Sequence, residues 1–223
     1  MSVRVLSSDS DQPDAAVVAA AAAALAGGGL VVLPTETVYG LACRADDEDA
    51  LQRLLAVKRR SPEKALAVLV AEPARLGEVA ELSPAAEKLA RAFMPGPITL
   101  VLRKLPHISP TVTGGRETIG ARVPDMALTR AILAACDFPV VATSANIAGE
   151  PAATSVPDLP NELRETVDLV VDGGPCPGGQ ASTVVDVTVE PPVVLREGPI
   201  SLPQIMAALA AGQPQVPEQG STT

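Results

Sequence analysis

"GGGLVVLPTETVYGL", residues 27–41, joins three kinds of sequence that together indicate a fold class. Three glycines end an alanine-rich segment, four aliphatic residues follow, and hydroxyl and carboxyl side chains come directly after them. A short continuous apolar run is typical of a strand buried on both faces. The polar residues 34–40 then form a loop at the end of that strand. This order of elements predicts an α/β protein with a largely buried sheet.

The alanine-rich segment before this strand predicts the first helix. We expect its N-cap near Asp11, with Pro13 in the first turn and Gly27–Gly29 as its end. Acidic residues precede the alanines, whereas a signal peptide carries positive charge there. About a dozen mostly Ala residues are also too few to span a bilayer. We therefore predict a soluble helix, with no membrane association.

The rest of the chain alternates helical and strand patterns. The segment 46–60 has acids in its first turn and bases in its last, the charge order that complements a helix dipole. Ser83 and Pro84 are typical of a helix cap and first turn. Further helices are predicted over 73–82, 84–93 and 127–136, and strands over 65–70, 98–102, 118–123, 139–144, 168–174 and 182–188.

Helices and strands alternate in the first half, and strands crowd together in the second. This predicts one α/β domain with a twisted, mixed, open sheet of parallel and antiparallel strands, flanked by helices. No long linker or composition shift divides the chain, so the domain is expected to span residues 1–212. The polar, Pro- and Gly-containing residues 213–223 are expected to be a disordered tail.

Composition limits the function classes that fit this chain. It is 47% hydrophobic with no Trp, one Tyr and two Phe, so its core is aliphatic and aromatic stacking on bases is nearly absent. A net charge of −9 opposes sequence-independent binding to nucleic acids and anionic membranes. Cys43, Cys136 and Cys176 are too scattered for a disulfide framework or a zinc knuckle. Reduced thiols in a cytoplasmic protein are expected.

Common catalytic motifs are missing from the sequence. It has no GxxxxGK[ST] loop, no GxGxxG after a strand, no HExxH and no GxSxG elbow. The one histidine, His107, lies in a Pro-flanked loop, and a Ser-His-Asp triad would have to use it. We expect it to be a surface residue with no catalytic part.

Polar clusters instead follow several apolar runs: "PTETVYG", "KRRSPEK", "IGARVPD", "ATSANIAGE", "STVVD" and "LREGP". Ligands of α/β sheets collect outside strand ends, so these clusters are predicted to converge on one crevice. Each also has a structural interpretation when it is taken alone. "KRRSPEK" is then a solvated helix end, "TSAN" a turn or helix cap, and Arg122 a partly buried structural arginine.

The chemistry of these clusters is complementary. Residues 58–64 concentrate Lys and Arg in an otherwise acidic chain, which suits a polyphosphate. Residues 143–146 offer neutral hydroxyl and amide groups for phosphates, a ribose or a small polar substrate. Arg122 stands in a stiff Gly-Ala-Arg-Val-Pro context, and its planar fork fits a carboxylate or a phosphate.

At these residues the sequence resembles the YrdC-like family, whose bacterial enzymes are L-threonylcarbamoyladenylate synthases. The similar stretches stand in family order from about residue 14 to residue 201. They are "GGLVVLPTETVYGLACRADD", the Lys-x-Arg of Lys58 and Arg60, "MPGPITLVL", "TIGARVPD", "VVATSANIAGEPAATS", "STVVDVT" and "VLREGPIS". The combination is far more specific than any one motif.

The resemblance implies a nucleotidyltransferase. It would join L-threonine, bicarbonate and ATP into threonylcarbamoyl-AMP and pyrophosphate, with Mg²⁺ on the phosphates and no metal ligand from the protein. Partner proteins would then transfer the threonylcarbamoyl group to adenosine 37 of tRNAs that read codons beginning with A, a modification called t6A. Direct contact with tRNA would be weak.

The resemblance also implies site residues, position by position. Lys58 and Arg60, expected on a solvated helix end, would stabilise the leaving pyrophosphate. Thr118 and Arg122 would meet either ATP or the threonine end of the site. The threonine set is Thr35, Tyr39, Arg122 and Ser182. The ATP set is Lys58, Arg60, Thr118, Ser144, Asn146, Ser155 (or its neighbour Thr154) and Arg196.

Two departures and two alternatives accompany this interpretation. Ser61 separates Arg60 from Pro62, and Ala65 replaces a later family proline, so the role of Lys64 is open. No general base is evident, although Glu36 is a candidate for orienting a water or the amine. One alternative function is a double-stranded RNA or tRNA-binding module. The other is a carbamoyl-transfer domain of the hydrogenase-maturation type.

Overall fold

The computed structural model describes residues 3–211, and the predicted tail 213–223 lies outside them. Within this range the strands form one sheet with both parallel and antiparallel pairs. The strands are β1 Arg4–Ser7, β2 Val31–Leu33, β3 Gly40–Arg44, β4 Ala67–Leu69, β5 Ala80–Glu81, β6 Ile98–Lys104, β7 Thr118–Arg122, β8 Val140–Ser144, β9 Leu169–Asp172, β10 Thr183–Asp186 and β11 Val193–Arg196.

The order across the sheet is β1-β9-β2-β3-β8-β4-β7-β6-β10-β11, with β5 paired to β6 outside this path. Parallel pairs are β1 with β9, β9 with β2, β4 with β7, and β6 with β10. The remaining neighbours are antiparallel. The prediction of a single α/β domain with a mixed, open sheet is confirmed.

Helices lie on both faces of this sheet, and none of those within residues 3–211 is long and apolar enough to cross a membrane. The predicted cap at Ser83 is confirmed, because its side chain accepts the N–H of Ala86, and Asp47 likewise accepts the N–H of Ala50 at the start of the helix in 46–60. The helices are α1 Ala15–Ala26, α2 Glu48–Lys58, α3 Pro84–Phe93, α4 Pro110–Thr113, α5 Ala127–Ala134, α6 Asn161–Thr166 and α7 Leu202–Ala210.

The predicted start of the first helix is wrong. Asp14, rather than Asp11, is the N-cap, because its carboxylate accepts the N–H of Ala16 at 2.7 Å. The N–H of Asp11 instead binds the side chain of Asp9 in the preceding turn, at 2.8 Å. Pro13 therefore lies before the helix rather than inside its first turn.

Other differences come from short elements with weak sequence signals. The predicted helix over 73–82 is a 3₁₀ helix, Pro73–Glu78, followed by β5. Gly77 weakens helical propensity, and the C-terminal end of β6, beyond its pairing with β10, is free to pair with β5. The sequence patterns did not indicate β1, β3, β11, α4, α6 and α7. Of these, α7 carries a recognisable signal, the capping box of Ser201 and Gln204.

The two faces of the sheet are covered unequally. On one face α2, α3, α4, α6 and α7 contribute to a single large core around residues such as Leu100 and Val141. On the other face α1 and α5 pack against a smaller core that includes Leu33, Leu69 and Val140. This second core does not extend over β6, β7 and β10, so that part of the face is left open.

Leu100 tests the larger core because it is fully buried at the centre of β6, between β7 and β10. We expect Leu100→Ala to lower the free energy of unfolding by about 2–5 kcal/mol in urea denaturation. The matched control is Leu202→Ala on α7, where the side chain is 54% exposed and the change should stay within about 0.5 kcal/mol. Equal effects of the two substitutions would contradict this placement of β6.

Candidate active site

The open half of the sheet face carries a cavity of about 640 Å³, a volume typical of small-ligand sites. Its floor includes Ala142, Ala67 and Gly120, which stand side by side on β8, β4 and β7. None of these side chains extends beyond a methyl group, and this gives the cavity its depth. At Gly120 an added Cβ would lie 3.2 Å from Thr99 Cγ2, so a larger residue would protrude into the floor.

The cavity brings together most of the residues that the resemblance implied, from distant parts of the chain. Its lining includes both threonine-set and ATP-set residues, and it also includes Lys64. The predicted residues that line it are Thr35, Tyr39, Arg60, Arg122, Ser144, Asn146, Ser182 and Arg196.

Arginines give this cavity a positive character. Burial lowers the pKa of Arg60, and the nearby charge of Arg196 lowers it further. Burial likewise lowers the pKa of Arg196, with a contribution from Arg122. Within residues 3–211 neither Arg60 nor Arg196 has a carboxylate within 4.0 Å. Since cations that face the same cavity repel one another, an anion is the ligand that this arrangement favours.

The chain at the end of α2 directs Arg60 into the cavity. Arg59 adopts a left-handed conformation at φ 50° and ends the helix, while its own side chain turns away to pair with Glu162 at 2.9 Å. The Nη2 of Arg60 donates to Ala65 O at 2.7 Å, which holds the guanidinium against the wall. The predicted cationic cluster 58–64 therefore divides, and only Arg60 and Lys64 line the cavity.

Arg196 is held at another wall of the cavity by Ser182. Its Nε and Nη2 donate to Ser182 O at 3.0 and 2.7 Å, and Nη2 also reaches Ser182 Oγ at 3.1 Å. That hydroxyl lies 2.8 Å from Thr99 Oγ1 on β6. The contacts join β11 to β6 across β10, so the orientation of Arg196 depends on the edge of the sheet.

Lys58 is not on a solvated helix end, and that prediction is wrong. Its side chain is buried, with the residue 2% exposed, and Nζ donates to Ser144 O at 2.5 Å and to Asn146 O at 2.8 Å. It also contacts Asn146 Oδ1 and Ser144 Oγ. The C-terminus of α2 packs against the turn 144–146, so Lys58 supports the Ser-x-Asn segment from behind.

The hydroxyls of Thr35 and Tyr39 are also engaged inside the protein. Thr35 Oγ1 donates to Val38 O at 2.6 Å, and Tyr39 OH donates to Gly174 O at 2.7 Å. Burial raises the pKa of Tyr39, with a contribution from Asp172, so its phenol stays protonated. Both residues line the cavity, yet their polar atoms hold the backbone around it.

Three predicted ATP-set positions do not line the cavity. One is Lys58, described above. Thr118 lies two residues before Gly120 on β7, on the same face but beyond the lining. Ser155 starts the 3₁₀ helix Val156–Asp158, and its Oγ donates to Asp158 Oδ2 at 2.8 Å, as does the hydroxyl of Thr154 at 2.9 Å.

Other lining residues were not singled out from the sequence. Thr37, Thr99, Arg116 and Glu150 all line the cavity. The period of two along β6 places Thr99 on the same face as Val101, which was a usable signal once the cavity face was known. His107 is exposed and does not line the cavity.

Together these features define an α/β protein with an arginine-lined cavity on the open half of one sheet face. A sequence profile of the Sua5/YciO/YrdC family, described as "Telomere recombination", matches residues 23–198, and the chain belongs to this family. The resemblance seen in the sequence is therefore confirmed.

Curated relatives carry the name threonylcarbamoyl-AMP synthase. That of Pyrococcus abyssi (strain GE5 / Orsay) is 38% identical over 177 residues, which cover 79% of this chain and 52% of the relative. That of Bacillus subtilis (strain 168) is 37% identical over 182 residues, covering 81% and 53%. The crystal structure of P. abyssi Sua5 complexed with L-threonine superposes with a TM-score of 0.88 at 34% identity, covering 92% of this chain and 61% of that one. The chain thus spans about half the length of these curated relatives.

Lys58 allows a test of the buried contact between α2 and the turn 144–146. Burial, together with the charge of Arg60, lowers the pKa of Lys58 to about 8, whereas the ordinary value is 10.5. Between these values the unfolded chain binds more protons at this residue than the folded protein, so the contribution of Lys58 to stability increases with pH. We expect the free energy of unfolding of the wild type, measured relative to Lys58→Met, to increase from pH 7.5 to 9.5.

The comparison is made by urea denaturation of both proteins at each pH. Taking the difference removes titrations that the two proteins share, such as those of Cys43 and Cys136, whose pKa values burial raises. The same comparison is made with Lys88→Met, on α3, as a control for the removal of a lysine from another helix. A difference between wild type and Lys58→Met that is constant with pH would show that Lys58 is not buried as described.

Proposed function

We propose that this chain is an L-threonylcarbamoyladenylate synthase, which forms threonylcarbamoyl-AMP and pyrophosphate from L-threonine, bicarbonate and ATP. The observation that carries this proposal is the combination of cations in one cavity. Arg60 and Arg196 lack carboxylate partners among the described residues and suit a polyphosphate. Arg122 is already paired with Glu36 and suits a singly charged carboxylate.

The relatives support the same conclusion. Proteins named threonylcarbamoyl-AMP synthase match about four fifths of this chain at 37–38% identity. The P. abyssi protein has been solved with L-threonine, and its fold superposes on nearly the whole described chain. The polar loop 34–40 and the strand ends that surround the cavity lie within the matched family range.

The proposed reaction requires positioned charge more than acid–base catalysis. The amine of threonine adds to CO₂ derived from bicarbonate and releases a proton, which gives a carbamate. A carbamate oxygen then attacks the α-phosphorus of ATP in line. The bond from that phosphorus to the bridging oxygen breaks, and pyrophosphate leaves with the electron pair. Arg60 and Arg196 would stabilise the charge that develops on the leaving group.

Among the residues that line the cavity, Glu150 is the one carboxylate and there is no histidine. Mg²⁺ would therefore enter bound to the phosphates of ATP, with water as its other main ligand, and would supply electrostatic neutralisation there. We assign Arg60, Ser144, Asn146 and Arg196 to ATP. We assign Thr35, Tyr39, Arg122 and Ser182 to threonine.

Further parts of the proposal concern the cellular setting. The product would be consumed in the cytoplasm by proteins that transfer threonylcarbamoyl groups to adenosine 37 of tRNAs reading ANN codons. Direct RNA binding is less well supported by the site. Lys58 is buried, Arg59 is paired with Glu162, and Arg60 faces the cavity, so residues 58–64 do not present a continuous basic surface. The three cysteines are buried and far apart, unlike zinc-finger cysteines of hydrogenase-maturation proteins.

The deciding experiment measures pyrophosphate release by the purified protein with MgATP, omitting threonine and bicarbonate in turn. We expect release only when both are present, and much weaker release with serine or valine. Release that needs neither substrate would refute the proposal. If no condition gives release and the protein binds tRNA tightly at physiological salt, the RNA-binding alternative would replace it.

The arginines are tested with a neighbouring control. We expect Arg60→Met and Arg196→Met each to lower kcat/KM by about 100-fold or more, the effect of removing one donor that stabilises developing charge. Arg59→Met should keep nearly full activity, since its exposed pair with Glu162 lies outside the cavity. Equal losses in all three variants would contradict the proposed contact of Arg60 with the phosphates.

A further inference from the structure

Arg122 is connected to two threonine hydroxyls in a chain of hydrogen bonds whose direction is fixed. Its Nη2 donates to Thr37 Oγ1 at 2.9 Å, and Thr37 Oγ1 lies 2.8 Å from Thr35 Oγ1. Thr35 Oγ1 in turn lies 2.6 Å from Val38 O. A carbonyl oxygen only accepts, so the proton of Thr35 goes to Val38. Thr37 must then donate to Thr35, and it accepts from Arg122.

Glu36 forms an ion pair with the same arginine, whereas the hydrogen bond to Thr37 orients its guanidinium. Glu36 Oε1 lies 2.6 Å from Arg122 Nη2, and the two side chains are 13% and 9% exposed. Neither carboxylate oxygen makes a well-aligned hydrogen bond within residues 3–211. Glu36 does not line the cavity, so the expectation that it orients a water or the amine is not supported.

The contacts leave one edge of the guanidinium available. Nε donates to Gly96 O at 3.2 Å, and Nη2 is used by Thr37 and Glu36. Nη1 has no hydrogen-bond partner in the described part of the chain, and Arg122 lines the cavity. A ligand can therefore bind Arg122 through Nη1 without displacing any of these contacts.

We propose that Thr37 is a positioning residue, which together with Glu36 fixes Arg122 so that its Nη1 edge receives the carboxylate of the amino-acid substrate. This inference rests on the proposed function and goes beyond it. The proton of the Thr37 hydroxyl goes to Thr35 and its oxygen accepts from Arg122, so we assign its effect on the substrate to the orientation of Arg122. A guanidinium held in one orientation before binding loses little conformational freedom when the ligand arrives.

The charge of Glu36 determines which anion this edge accepts. A phosphate with two negative charges would be repelled by the adjacent carboxylate, whereas a carboxylate with one charge is repelled less. Arg60 and Arg196 have no such neighbour within 4.0 Å in residues 3–211, which leaves them to the phosphates. Thus Glu36 separates a carboxylate subsite from the phosphate subsite within one cavity.

The kinetic test uses Thr37→Val, which keeps the shape of the side chain and removes its hydroxyl. We expect the KM for threonine to increase about tenfold or more, because a hydrogen bond to a charged group is lost, with the KM for ATP nearly unchanged. Thr37→Ser should restore the wild-type values. Thr188→Val is the control, since its hydroxyl bonds to Asp186 and it does not line the cavity.

A second measurement identifies the carboxylate as the affected group. L-Threoninol has an alcohol in place of the carboxylate of threonine. Wild type should bind threonine much more tightly than L-threoninol in calorimetry, and Thr37→Val should lose most of that preference. A general folding defect would weaken both ligands equally, and equal weakening would overturn the inference.

A third measurement does not depend on turnover. In ¹⁵N spectra of arginine side chains, the Nη2 signal of Arg122, assigned by its loss in Arg122→Lys, should be resolved in wild type and Thr37→Ser and broadened in Thr37→Val. Unchanged spectra would overturn the positioning role of Thr37. If wild type releases no threonine-dependent pyrophosphate, the proposed function fails, and with it the carboxylate assignment. The spectra would still decide whether Thr37 orients Arg122.

Discussion

The unequal covering of the sheet is the constraint on which the rest of this structure depends. Helices α1 and α5 pack on one part of a face, and their core, within residues 3–211, does not extend over the part formed by β7, β6 and β10. A wholly apolar surface there would favour burial, whereas this surface combines aliphatic residues such as Val101 and Val184 with small, hydroxyl and cationic side chains. The same face therefore serves as core at one end and as the floor of a ligand cavity at the other.

The positive charge of this cavity follows from the lack of carboxylates close to its arginines in the described part of the chain. Arg60 is partly buried and Arg196 is exposed at the edge of the cavity, and within residues 3–211 no carboxylate lies within 4.0 Å of either guanidinium. Cations that face one cavity without a carboxylate partner repel each other, and the backbone carbonyls that hold them compensate only in part. An anionic ligand completes the arrangement. The whole chain has a net charge of −9, so this positive region is local and does not form a general polyanion-binding surface.

The sequence predicted the structure of a residue where a single helix or strand determines it. It predicted less about residues whose burial depends on the packing of two elements. The strand within 30–33 and the cap at Ser83 follow from local patterns, and the structure contains both. Strand β3 was missed because Gly, Ala and Cys give little strand preference. Lys58 looked solvated because a basic helix end usually is, and only the packing of α2 on the turn 144–146 reveals its burial.

The same limit applies to residues 34–40. Their motif indicated a substrate site, but it did not show which partner each side chain contacts. From the sequence alone Thr35 and Thr37 are equivalent hydroxyls near a strand end. What distinguishes them is their partners: Thr35 donates to the carbonyl of Val38, whereas Thr37 donates to Thr35 and accepts from Arg122 on β7, far along the chain. The polar residues after this buried strand are thus required by a distant arginine. Residues of this loop pair with the Nη2 of Arg122 and with the backbone of the loop itself. The Nη1 of the guanidinium is then free to bind an anion.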